Sequence, residues 1–146
     1  MGKKLTAIGV AASFALSGCN SGGGPKPSEQ TFDAIAASSA IVLIGTEPFW
    51  RMDIEPSGSG YSAAYSTPED VNGTRFAVER FAGNNGLGFS GTLASQQVQV
   101  AVTAGECSDG MSDRIYLYIA TVSIDGDIYE GCGYTDADGF SGGEGS

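Results

Sequence analysis

Gln97-Val98-Gln99-Val100-Ala101-Val102 places Val98, Val100 and Val102 on one face and Gln97, Gln99 and Ala101 on the other. Side chains of a strand alternate between its two faces, so this stretch reads as a strand with one face buried. Toward the C-terminus, Ile115 to Ile124 repeats the pattern, with Tyr116, Tyr118, Ala120, Val122 and Ile124 sharing a face. Asp125-Gly126 is a hairpin signal, and Asp127 to Cys132 returns beside it. Toward the N-terminus, strands are expected at Leu87–Leu93, Arg75–Phe81, Tyr61–Tyr65, Phe49–Ile54 and Ile41–Ile44. In Phe49–Ile54 the apolar face is Trp50, Met52 and Ile54, opposite Phe49, Arg51 and Asp53. Pro68 to Gly73, ending in Asn72-Gly73, is expected to be a turn. Phe32 to Ala40 reads as a short helical turn or an extended lead-in.

About eight short strands at spacings near ten residues, punctuated by Gly, Asn and Asp, predict an all-β fold. The expected architecture is a small antiparallel barrel or sandwich over residues 38–135. The 23 glycines suit turns and bulges better than helices. Residues 136–146 are Gly-rich and expected to be a flexible tail.

Composition narrows function. Lys and Arg total 7 against 17 Asp and Glu, a formal net charge of −10. Such a domain is a poor partner for nucleic acid, whose phosphates need a basic face. It would be repelled by anionic headgroups and would attract cations or cationic proteins. The simpler reading is that acidity keeps the domain soluble. Histidine is absent, which excludes Ser-His-Asp and Cys-His catalysis and every His-ligated metal site. The residues suggest no cofactor and no enzyme. Gly83-Asn-Asn-Gly-Leu-Gly88 lacks a Lys and leads into a strand, so it is a hairpin rather than a phosphate loop. Paired-carboxylate hydrolysis is poorly motivated, because the acids fall mostly in turns and on outer faces.

The N-terminus carries an address. Lys3 and Lys4 precede an apolar stretch of 12 residues, Leu5 to Leu16. That suits a signal-peptide core and falls short of the roughly 20 residues that span a bilayer. Leu16-Ser17-Gly18-Cys19 follows, and it resembles the lipobox of bacterial lipoproteins at all four positions. The resemblance implies removal of residues 1–18, lipidation of Cys19 and membrane attachment through that lipid; Asn20 favours the outer membrane. The alternative is an ordinary secretory signal. Residues 19–37, rich in Gly, Ser and Pro at their start, are expected to be a tether, because such composition cannot bury enough surface to offset ordering entropy.

With Cys19 assigned to lipid, Cys107 and Cys132 remain as an even pair in an oxidising compartment. A bridge would close a loop of about 26 residues and stabilise by roughly 3.5 kcal/mol through chain entropy. Two free thiols are the alternative.

Two segments carry candidate chemistry: Gly45-Thr46-Glu47-Pro48-Phe49-Trp50, and Cys107-Ser108-Asp109-Gly110-Met111-Ser112-Asp113-Arg114, followed later by Gly131-Cys132. Together they resemble a family of small bacterial periplasmic proteins and lipoproteins marked by G-x-E-P-F-W, C-x-D-G-M-S-D and a late G-C. The resemblance spans residues 45–133. It implies a β-rich fold and a Cys107–Cys132 bridge, and brings no activity with it. A looser likeness, at the level of fold, is to small envelope inhibitors of lysozyme.

Glu106, Asp109 and Asp113 are a weak candidate Ca²⁺ set. Against that, Asp109 and Asp113 read as turn-formers bonding nearby backbone N–H groups, with Asp113 or Glu106 paired to Arg114. Glu47 and Trp50 are either the rim of a ligand pocket or, for Trp50, part of the core. The expectation is therefore a lipid-anchored envelope protein with a binding or structural role. A small-molecule or Ca²⁺-binding barrel and a binder of cationic proteins are the alternatives.

Overall fold

The structure is a computed structural model that describes Gly2 and residues 32–143. The expected signal peptide, Cys19 and most of the expected tether lie outside the described residues. Nine strands form one sheet: β1 (Ile41–Thr46), β2 (Phe49–Ser57), β3 (Gly60–Thr67), β4 (Asp70–Ala82), β5 (Gly86–Leu93), β6 (Gln96–Ser108), β7 (Ile115–Ile124), β8 (Asp127–Thr135) and β9 (Phe140–Ser141). Strands β1 to β8 each pair with the next, and β8 pairs with β1. The result is a closed, antiparallel, up-and-down barrel of eight strands, with β9 added beside the start of β7. Closure removes the exposed edges that an open sheet of this size would present.

Period-2 alternation decides which side chains enter the barrel. Val98, Val100 and Val102 are buried, as are Trp50, Met52 and Ile54 on β2 and Tyr118, Ala120, Val122 and Ile124 on β7. Leu43, Phe76, Val78, Leu87 and Phe89 join them in one cluster. An eight-stranded barrel is just wide enough for its own side chains to fill, and here they do. Asp125 and Gly126 both have positive φ, at 55° and 97°, the conformation that a two-residue turn needs to match strand twist.

Three expectations are corrected. Asn72-Gly73 is not the turn between β3 and β4; the chain turns at Pro68-Glu69, and Asn72-Gly73 lies inside β4. Pairing there shifts register between Tyr65 and Thr67, and Gly73, at φ 72°, takes the left-handed conformation of a bulge rather than of a hairpin. The expected tether also ends early, because Ile35 is 2% exposed and belongs to the core. Apolar burial wins where one large side chain meets an open barrel mouth. Finally, the expected flexible tail contains β9, because Phe140 packs against Tyr116 and Tyr134, with ring centroids 5.4 and 5.5 Å away.

Topology defines two barrel ends. The β2–β3 and β4–β5 turns lie at one end, which Phe32 to Ala40 plugs. The N–H of Phe32 donates to the Gly83 carbonyl at 2.8 Å. The Tyr61 hydroxyl donates to Ala37 O at 2.8 Å, Arg80 to Ile35 O at 3.1 Å, and Tyr118 to Ala34 O at 3.4 Å. The β1–β2 and β3–β4 turns lie at the other end.

The β6–β7 hairpin belongs by connectivity to the plugged end, yet its tip bends away. Pairing slips between Ala104 and Cys107, and a bulge of this kind bends the strand that carries it. The tip lies on the outer face of β8 and β1. Cys132 points outward by alternation but is 2% exposed, because a Cys107–Cys132 disulfide ties the tip down over it.

Candidate functional site

The site is built around Trp50. In the β1–β2 register Trp50 pairs with Gly45, and its indole lies on that glycine. A Cβ at Gly45 would stand 2.0 Å from Trp50 Nε1, so only glycine leaves room. A Cβ at Gly131 would come within 2.0 Å of the Ile44 carbonyl oxygen and 2.9 Å of Trp50 Cζ2. Glycine thus allows the ring, strand β1 and strand β8 to approach one another. The Tyr65 ring stacks on the indole from β3, with centroids 6.5 Å apart. Among the described residues the buried indole N–H has no hydrogen-bond partner.

The folded-back tip supplies the second half. Thr46 Oγ1 donates to the Asp109 carbonyl at 3.2 Å, joining segments 63 residues apart. Asp109 holds its own turn together. Oδ1 accepts the N–H groups of Met111 at 2.9 Å and Ser112 at 2.8 Å. Oδ2 accepts the Ser112 hydroxyl at 2.7 Å and the Tyr116 hydroxyl at 3.2 Å. These donors favour the charged form. The Met111 backbone N–H contributes most, followed by the Ser112 hydroxyl and N–H, and the carboxyl is held down at about 2.

Between the two halves lies an open cleft of about 500 Å³. Thr46, Phe49, Trp50, Pro68, Val71 and Met111 are part of its wall. Three of its apolar side chains face solvent: Phe49 is 52%, Met111 68% and Val71 77% exposed. Arg51 also reaches the wall, and its guanidinium is held by Asp53 through Nε at 2.7 Å and a terminal nitrogen at 2.6 Å. That paired hydrogen bond, ahead of the Asp53 charge, keeps Arg51 protonated more firmly than usual.

No known protein family, curated protein or solved structure matches this chain.

The site is therefore read from its own chemistry. Of the residues singled out in the sequence, Trp50 and Asp109 reach the cleft. Glu47 sits exposed in the β1–β2 turn beside it. Trp50 is both a core residue, 4% exposed, and part of the cleft wall, so the two readings of it merge. Arg114 does not pair with Asp113 or Glu106; the salt bridges among the described residues are Arg51–Asp53 and Arg75–Glu55. Its guanidinium lies 4.4 Å over the Phe140 ring instead, a cation–π contact that β9 makes possible. Glu106, Asp109 and Asp113 do not form a metal site. No group of three acidic, Cys or His residues with that geometry occurs among the described residues, and the Asp109 oxygens are already engaged by four donors.

Sequence reasoning missed Val71, and placed Phe49 and Met111 within the two candidate segments without singling them out as site residues. Each nevertheless broke a local pattern. Phe49 is apolar on the polar face of β2, Val71 stands between Glu69-Asp70 and Asn72, and Met111 interrupts a run of Ser, Asp and Gly.

Proposed function

We propose that this chain is an exported lipoprotein, anchored to the cell envelope through lipid on Cys19, whose barrel is a non-enzymatic binding module with the Trp50 cleft as its binding site. One observation carries the binding role. Three separate segments, Ile44–Arg51, Ser66–Val71 and the tip residues Asp109 and Met111, converge around one open cleft, whose exposed Phe49, Val71 and Met111 lie outside the buried core. Apolar side chains that gather on a surface mark interaction sites.

The anchor rests on the lipobox-like Leu16-Ser17-Gly18-Cys19 and on its agreement with the fold. The chain enters the barrel at the plugged end, at Phe32, whereas the cleft opens at the rim of the other. A lipid on Cys19 would therefore approach the barrel from the plugged end.

Fractionation tests the anchor: the full chain should sediment with membranes and Cys19→Ser should not. Membrane association that survives Cys19→Ser sinks the lipid anchor. Trp50 is the sole tryptophan, so its fluorescence reports the cleft directly. A neutral naphthylamine dye should alter Trp50 emission in the native chain, and Met111→Ala should weaken the change. A dye response unaffected by Met111→Ala and Phe49→Ala would remove the cleft from consideration.

A further inference from the structure

We infer that the cleft docks a basic segment of another protein, with one apolar side chain seated against Phe49, Val71 and Met111 and flanking Lys or Arg side chains held by acids at the rim. This rests on the reading of the cleft as a binding site and names its partner class.

Each of the three chain segments that line the cleft brings exposed carboxylates to its edge. Glu47 follows the lining residue Thr46 in the β1–β2 turn; Glu69 and Asp70 stand between the lining residues Pro68 and Val71, Asp70 also accepting from the Gly73 N–H and the Thr74 hydroxyl; Asp113 lies two residues beyond Met111 in the tip. Asp109 also lines the wall; its oxygens are engaged within the tip, so it adds charge to the cleft rather than a free ligand. Asp109 is held in its charged form by its four donors. The cation in the wall, Arg51, is committed to Asp53 by two short hydrogen bonds and offsets little of this charge. The result is an apolar floor inside an acidic rim, on a chain of net charge −10.

That combination selects among occupants. An anionic lipid surface is repelled. Among the described residues no three acids come together as a set that could hold one metal ion, so a single small cation is a poor fit. A polypeptide carrying several basic side chains around an apolar anchor can meet all of them. The charges would speed encounter and the buried anchor would hold the complex.

A second groove on the barrel provides an internal contrast. It lies on the outer face around Phe81, Gly88, Ala101, Thr121 and Ile128, with a volume of about 550 Å³, and no charged residue lines it.

The test titrates the full chain, purified as cells process it, with a short synthetic Lys-rich peptide containing one central Phe. Trp50 emission is read at low salt and at about 0.15 M ionic strength, where the Debye length is near 8 Å. The peptide should bind. Replacing its Phe with Ala, or Met111→Ala in the protein, should weaken binding about tenfold or more. Glu47→Gln and Glu69→Gln should each weaken it roughly two- to fivefold. Ile128→Ala, in the uncharged groove, should leave it unchanged. Equal binding of a Glu-for-Lys peptide overturns the basic-partner inference and leaves the cleft intact. Binding of the neutral dye without the peptide does the same. Lys-rich binding indifferent to both Phe and Met111 marks nonspecific attraction to an acidic chain and also overturns it. Failure of peptide and dye alike overturns the cleft as a site.

Discussion

The two ends of the barrel are finished in different ways. At the plugged end, Ile35 is drawn from the lead-in segment into the core and the backbone around it is hydrogen-bonded to three strands and a turn. At the cleft end, Phe49, Val71 and Met111 remain in solvent, although the tip that carries Met111 is stapled in place. The first arrangement is what folding stability demands. The second lowers solubility and adds little to the core, so a surface role explains it better than a structural one.

The largest expected effect tests the staple. Cys132→Ser should lower stability by about 3 kcal/mol, as read by chemical denaturation, through release of chain entropy in the unfolded state. It should also loosen the tip, so that Trp50 emission no longer responds to cleft ligands. Retained stability with an unchanged cleft would show that the Thr46–Asp109 contact and β9 hold the tip unaided. Next, Ile35→Ala should cost about 2–3 kcal/mol, at the low end for core truncation because a barrel mouth can collapse. It should leave cleft binding nearly unchanged at temperatures where the protein is folded. Coupled loss of both would mean the ends are not independent.

A smaller, pH-dependent effect concerns the tip. The Asp109 carboxyl is depressed in the folded protein from 3.8 to about 2. Its contribution is therefore present in full above the unfolded value, and is lost as pH falls through the folded one. The amide resonances of Met111 and Ser112 should titrate with a midpoint near 2. A midpoint near the ordinary carboxylate value would refute the hydrogen-bonded turn. Burial raises the hydroxyl pKa of Tyr116, the partner of Asp109, so that donor stays protonated throughout the acid range.

The smallest stability change is the most informative about function. Met111→Ala should move stability by no more than about 0.5 kcal/mol, as is usual for an exposed side chain, while binding in the cleft falls sharply. A large stability loss would place Met111 with Ile35, as a packing residue.

Much of the barrel was legible because a strand declares itself locally. Val98, Val100 and Val102, or Trp50, Met52 and Ile54, need only their own neighbours to show which face is buried. Asp125-Gly126 likewise specifies its turn by the conformations those residues tolerate. Asn72-Gly73 misled because the same conformational freedom also serves a bulge, and only pairing with β3 distinguishes the two. The disulfide was expected once Cys19 was set aside for lipid, but its effect was not, since sequence spacing cannot show that the β6–β7 tip bends over β8.

By itself, the sequence determined the all-β class, the inward faces, the acidic surface and the lipobox-like Leu16–Cys19, all properties of residue type and short-range order. Tertiary structure decided that the sheet closes, that Ile35 plugs one mouth and that Gly45, Gly131, Trp50 and Asp109 meet at the other. Those outcomes depend on contacts between residues tens of positions apart. They are selected by closure of the ladder, by space left where a side chain is missing, and by the bulge that turns one hairpin back across the barrel.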